Sequence, residues 1–308
     1  MGAMIEVRGL TKRFGNVLAV DDLSFDVQPG RVTGFLGPNG AGKTTTLRML
    51  LGLVSPSSGS ATVDGTHYRD LPQPQRVIGA ALESSSFHPG RTARNHLRVV
   101  ARTAGVDDDR VAELLGLVGL TDAGDRRVGG FSLGMRQRLA LAAAMVGDPE
   151  VLVLDEPANG LDPEGIRWLR GFLRHLAGQG RTVLVSSHVL SEVQQTVDDV
   201  VIINHGALVR RSTLAELEAG AAAGVVVAAP DPVALRAALA PSGWSVEAVA
   251  DSDGRLRVSG ATAAQVGHLL FTSGVELHEL REESSGLEAI FFHLTSGEPG
   301  MTSEGVVP

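Results

Sequence analysis

Apolar and polar positions alternate through IEVRGLTKRF and again through VLAVDDLSFDVQPG, with a Gly-Asn break between them, which predicts two antiparallel strands. The short apolar run RVTGFLG then predicts a buried strand, and Lys43 to Leu51 a helix. ATVDG and RVIGAALE read as further strands, and Thr92 to Val146 as mostly helical. Strand signals return in VLVLDE and TVLVSSH with the helix GIRWLRGFLRHLA between them, the pattern of a βαβ unit in a parallel sheet. VVIINHGALV reads as a hairpin.

Around Ser212 to Gly224 the composition shifts to Ala, Gly and Glu, read as a short helix and linker into a second domain. Beyond it come GVVVAAP strand, DPVALRAALA helix, WSVEAV strand, RLRVS strand, TAAQVGHLLFTS helix and VELHELRE strand. That βαββαβ order predicts a small ferredoxin-like α+β domain. A last helix is expected with Ser285 and Glu288 as a capping box and Leu287, Ile290, Phe291 and Leu294 on one face. The expected domains are residues 1–212 with a helical subdomain at 88–147, a linker at 213–223, a C-terminal domain at 224–296 and a disordered tail at 297–308. No internal repeat is evident.

Composition changes this picture little. With 308 residues and 43% hydrophobic content the chain has ample material for a buried core. No apolar run approaches the roughly 20 residues of a membrane-spanning helix. Glu6, Arg8, Lys12 and Arg13 interrupt the start, so no secretory signal is expected and the expected compartment is the cytoplasm. Zero cysteines remove disulfides and thiolate chemistry, and a net charge of −8 argues against broad nucleic-acid binding.

Candidate chemistry changes it more. GPNGAGKTT spans Gly37, Pro38, Asn39, Gly40, Ala41, Gly42, Lys43, Thr44 and Thr45, a phosphate loop between a strand and a helix start. Its glycines let backbone N–H groups wrap phosphates, Lys43 neutralises β and γ oxygens, and the Thr44 hydroxyl can ligate Mg²⁺; Thr45 is expected to help hold the phosphates. VLVLDEP ends an apolar strand in two carboxylates: Asp155 is placed to organise Mg²⁺ through its water shell, and Glu156 to orient or activate an attacking water. FSLGMRQRL, residues 131–139, opens a second helix with Ser132 as N-cap and Arg136 and Arg138 in its first turns.

GPNGAGKTT, FSLGMRQRL, VLVLDEP, NGLDP and Ser187-His188 follow one another in the order and spacing of the ATP-binding cassette ATPases, and about the first 210 residues resemble that family. FSLGMRQRL sits where the family carries its signature motif, usually LSGGQ. The resemblance implies a P-loop cassette fold, ATP and Mg²⁺ as ligands, hydrolysis with Glu156, His188 and Lys43 as catalytic residues, and a head-to-tail homodimer. Ser132 and Gly134 would then contact the γ-phosphate held by the partner, a role that coexists with N-capping. Phe14 matches the adenine-stacking aromatic, with a core phenylalanine as the rival. His188 matches the switch histidine. Asp162 matches the loop linking the two sites, and an Asp before Pro163 is also a helix N-cap. Arg136 and Arg138 lie inside the helix and are expected as surface or intradomain salt-bridge formers rather than phosphate ligands.

Three positions depart from the family. Glu83 stands where a glutamine senses Mg²⁺, and Leu133 and Met135 replace the second Gly and the final Gln of the signature. With DEPANGLDPEGI and the C-terminal domain, these variants resemble the branch that energises bacterial drug, bacitracin and lantibiotic exporters. That branch implies a separate membrane permease and a position on the inner face of the membrane. Arg91, Arg94, Arg98 and Arg102 recur at helical spacing near the family's permease-docking region, or form a solvated charged face. The alternatives are an importer subunit, an iron–sulfur assembly ATPase, and a nucleic-acid-associated cassette ATPase.

Overall fold

In the computed structural model, which describes residues 3–82, 87–190, 194–220, 223–249 and 254–284, the alternating start of the chain is a hairpin. Strands β1 (Ile5–Phe14) and β2 (Val17–Val27) pair antiparallel, burying Ile5, Val7 and Leu10 on one face of β1. β3 (Val32–Leu36) is buried at every position and leads through the glycine loop into α1 (Lys43–Leu50). β4 (Ser58–Val63) pairs with β1 and completes a three-stranded antiparallel sheet, β2-β1-β4.

The stretch RVIGAALE divides. Pro74–Val77 form the single helical turn α2, and only Ile78–Ala81 form strand β5. Proline at the first position of α2 presets a helical φ and needs no donor there, which overrides the apolar run that suggested strand. Three helices follow, α3 (Ala93–Thr103), α4 (Asp109–Leu117) and α5 (Leu133–Ala144), packed on one another. α3 buries only Ala93, Leu97 and Ala101, at positions i, i+4 and i+8.

β6 (Val151–Asp155), α6 (Pro163–Gly178) and β7 (Thr182–Ser187) form the expected βαβ unit, followed by the hairpin β8 (Asp199–Asn204) and β9 (Ala207–Thr213). The second sheet runs β5-β6-β7-β3-β8-β9, parallel except for β9. Its central strands are continuous apolar runs because they are covered on both faces, and α6 packs on β7 and β3 through Leu169, Phe172, Leu173 and Leu176. Three strands of that sheet, β6, β7 and β3 in spatial order, end side by side at their C-termini. That edge is where parallel α/β sheets gather ligands.

The chain divides into two compact units at Leu214/Ala215. Helix α7 (Leu214–Gly220) spans that point. The second unit holds β10 (Ala223–Ala228), α8 (Pro232–Leu239), β11 (Ser245–Ala248), β12 (Leu256–Ser259), α9 (Ala263–Thr272) and β13 (Glu279–Ser284). Its sheet order is β11-β12-β10-β13 with every pair antiparallel, so each of the two βαβ units brackets a strand of the other. Val225, Val227, Leu235, Leu239, Leu256, Val258, Val266 and Leu270 form its separate core. The expected last helix, its Ser285–Glu288 capping box and the tail lie outside the described residues. No helix among the described residues is long and apolar enough to cross a membrane.

Candidate nucleotide-binding and hydrolysis site

The loop between β3 and α1 is shaped by close backbone contacts. Gly42 stands at φ +104, and a Cβ there would lie 2.5 Å from the Ala19 carbonyl oxygen, so only glycine fits the entry to α1. The loop is anchored to the neighbouring strand by the Gly37 N–H, which donates to the Ser187 carbonyl at 3.3 Å. The turn leaves the first N–H groups of α1 without a side-chain cap, as an anion site requires.

A cleft of about 410 Å³ opens above this loop, walled by residues 39–45 with Ala19, Glu156, Asn159 and His188. Lys43 is only 6% exposed at its floor. Its ammonium donates to the carbonyls of Gly37 (2.7 Å) and Pro38 (3.2 Å) and lies 3.4 Å from Glu156 Oε1. Glu156 Oε2 lies 2.7 Å from His188 Nδ1, so one carboxylate spans the lysine and the histidine. Glu156 itself adopts φ +50, a left-handed conformation that costs a non-glycine residue about 1–2 kcal/mol. Its N–H is held by Ser186 Oγ at 3.0 Å. The strained turn directs Glu156 into the cleft while Asp155, one residue earlier, stays at the strand end.

Asp155 has different partners. Thr44 Oγ1 donates to its Oδ2 at 2.7 Å, and Ser186 Oγ donates to its Oδ1. Ser186 stands opposite Asp155 in the β6/β7 register and is fully buried, so one hydroxyl serves both acidic residues. A threonine hydroxyl paired with a carboxylate is a hard oxygen donor set that fits Mg²⁺, an ion which takes one or two protein ligands beside phosphate and water. Glu83 lies outside the described residues.

The other expected residues sit apart from the cleft wall. Phe14 is 48% exposed, which removes the core alternative, and Lys12 Nζ stands 4.9 Å over its ring. Ser132 is exposed and caps α5, accepting the Met135 N–H at 3.2 Å, with Gly134 in the first turn. Asp162 caps α6 through the Gly165 N–H at 2.8 Å. Arg136 and Arg138 form no ion pair among the described residues: Arg136 donates to the Gly129 carbonyl, and Arg138 donates to the Val118 carbonyl and stacks 4.4 Å over Trp168. Their partners are therefore carbonyls and a ring instead of the expected acids. Arg94 and Arg98 are in ion pairs with Asp125 and Asp108, and Arg91 precedes α3, whose N-cap is Thr92. Ser186 and Asn159 were not singled out by sequence. Asn159 opens the NGLDP motif, of which only Asp162 carries an expected role, and the Ser-Ser-His run at the end of β7 held the signal for Ser186.

Three comparisons bear on this geometry. A family model described as "ABC transporter" matches residues 20–159, and one described as a domain of unknown function matches residues 223–288. The bacitracin transport ATP-binding protein BcrA of Bacillus licheniformis is 44% identical over 211 residues, covering 68% of this chain and 69% of that protein. The lantibiotic transport ATP-binding protein SrtF of Streptococcus pyogenes is 38% identical, covering 67% and 89%. The Nod factor export ATP-binding protein I of Burkholderia pseudomallei is 40% identical over 252 residues, covering 78% and 81%. A solved structure described as the ATP binding subunit of an ABC transporter superposes with a TM-score of 0.64 at 27% identity, covering 70% of this chain and 92% of that one. A phosphate loop, Glu156 and a histidine converging on one cleft, with Asp155 bonded to the loop through Thr44, together with identities of this size over most of the relatives' length, place the chain: it belongs to the ABC transporter ATP-binding family, the ATPase subunits of ABC transporters.

Proposed function

We propose that two copies of the chain close head to tail around two ATP molecules and drive a separate membrane permease, exporting a drug, antibiotic or peptide. The observation that carries the hydrolytic reading is the Lys43–Glu156–His188 cluster beside the Thr44–Asp155 pair. Export rests on the similarity to bacitracin, lantibiotic and Nod factor transport proteins. The permease holds the chain at the inner face of the membrane.

The residues divide the work as follows. Lys43, which pairs with Glu156 and donates to two carbonyls, turns to the β and γ oxygens of ATP, and the loop N–H groups wrap the remaining phosphate charge. Thr44 would ligate Mg²⁺ and Asp155 would organise it through its water shell, with Glu83 as a candidate further oxygen ligand, and the ion would supply neutralisation of the phosphate oxygens. Released from Lys43, the Glu156 carboxylate orients a water and takes its proton as the water oxygen attacks the γ-phosphorus; the β–γ bridging oxygen leaves with ADP. His188 fixes that carboxylate through Nδ1 and reaches the γ-phosphate. Phe14 stacks on adenine, and Ser132, Gly134 and Asp162 act on the ATP of the partner. ATP at 100 times its Kd favours a closed dimer that alone binds it by about 2.7 kcal/mol per site.

Affinity purification of the chain from membranes tests this reading. An integral membrane protein should co-purify in stoichiometric amount. Recovery of ribosomes or DNA in its place would overturn the transporter assignment.

A further inference from the structure

The start of α5 and the loop between Glu156 and α6 interlock through two leucines and two glycines. A Cβ placed on Gly160 would lie 2.3 Å from Leu133 Cδ2, so the Leu133 side chain rests directly on the Gly160 backbone. In the opposite direction, Leu161 Cδ2 lies 3.5 Å from where a Cβ on Gly134 would stand, an ordinary van der Waals contact, so the tight seat is the one at Gly160. Each element thus offers a leucine to the other's glycine. Gly160 is at φ +71, so the seat of Leu133 needs glycine for space and for conformation.

The loop is a poor spring and a good lever. The Asn159 N–H donates to the Glu156 carbonyl at 3.1 Å, and the Leu161 N–H to the Ala158 carbonyl at 3.1 Å, so two successive tight turns join Gly160 and Leu161 to Glu156. Asn159 lines the cleft beside Glu156 and His188. At the other end, Leu133 directly follows Ser132, the exposed cap of α5.

We propose that Leu133 and Leu161 are positioning residues: by interlocking with Gly160 and Gly134 they make the start of α5 and the loop behind Glu156 move together. Glycine at position 133 would leave Gly160 without its knob, so the leucine in the signature supplies a coupling that a glycine there could not. Because Ser132 is read as touching the partner's ATP, the inference rests on the homodimer reading for its consequence: closure over one ATP adjusts Glu156 and Asn159 at the other.

Full-length Leu133→Ala tests it. In the nucleotide-free chain, amide exchange at Asn159 and Leu161 should rise about tenfold as the turns loosen. In the ATPase assay kcat should fall about tenfold with KM for ATP within about twofold, because the ATP cradle is untouched while Glu156 is misplaced. The Hill coefficient should drop toward 1. Gly160→Ala should act in the same direction, and Leu133→Ala in that background should recover part of the loss by making room for the new Cβ. Unchanged exchange together with wild-type kcat in Leu133→Ala would overturn the interlock. Failure of the dimer reading gives a different result: faster exchange in Leu133→Ala with Ser132→Arg turning over normally.

Discussion

Glu156→Gln removes a charge and keeps a shape, which separates two roles of one side chain. In the resting site the carboxylate neutralises Lys43 and so competes with phosphate for it. Without that charge the lysine is freer to bind ATP, while the group proposed to take the water's proton is gone. We expect kcat to fall by about 100- to 10,000-fold and ATP affinity to hold or rise, measured by single-turnover hydrolysis and nucleotide titration. Ser186 gives a second residue-scale prediction. Ser186→Ala leaves Asp155 with one hydroxyl partner fewer and the Glu156 N–H with none, at a cost of about 1–3 kcal/mol in stability. It should also raise the Mg²⁺ concentration for half-maximal ATPase activity; an unchanged Mg²⁺ requirement would remove Ser186 from the site. Lys43, Thr44, Asp155 and Glu156 were legible in sequence because each belongs to a contiguous motif with a chemical reason for its spacing. Ser186 is not legible in this way because its importance arises from strand register, and Leu133 reads from sequence only as a departure because the fold, not the motif, brings Gly160 beneath it.

At the scale of elements, Asp148 ties the helical part of the first unit to the sheet. It sits between α5 and β6 and accepts from Arg110 of α4 at 3.0 Å and from Arg181, just before β7, at 2.8 Å. Burial alone would raise the Asp148 pKa, but the hydrogen bonds and charges of Arg181 and Arg110 hold it below the usual carboxylate range. A depressed folded-state pKa contributes stability that is fully present above the unfolded value of about 4 and is lost as pH falls through the folded value. Asp148→Asn should therefore lower Tm at pH 7 by about 2–4 °C at most, with a carboxylate 62% exposed limiting the effect to no more than about 1 kcal/mol. Scanning calorimetry should show the gap between variant and wild type closing below about pH 4. The parallel sheet, the hairpins and the second unit's strand and helix order were legible because period and length agreed. Pro74–Val77 were not, since one turn of helix carries too few residues for a period and its proline was the only cue.

At the scale of the molecule, Ser132 and the P-loop cleft are separate features of one chain, the uncapped start of α1 and the exposed, Ser132-capped start of α5. In the proposed dimer a second copy would bring its ATP to the start of α5. Ser132→Arg should leave ATP binding to the isolated chain nearly intact while blocking dimer closure and turnover, readable by equilibrium binding beside an ATPase assay. The most direct test of the account is the mass and nucleotide content of Glu156→Gln in ATP and Mg²⁺, by sedimentation with quantified bound nucleotide. The account predicts a stable dimer carrying two ATP molecules, which Ser132→Arg in the same background abolishes. A Glu156→Gln chain that binds ATP yet sediments as a monomer would contradict it.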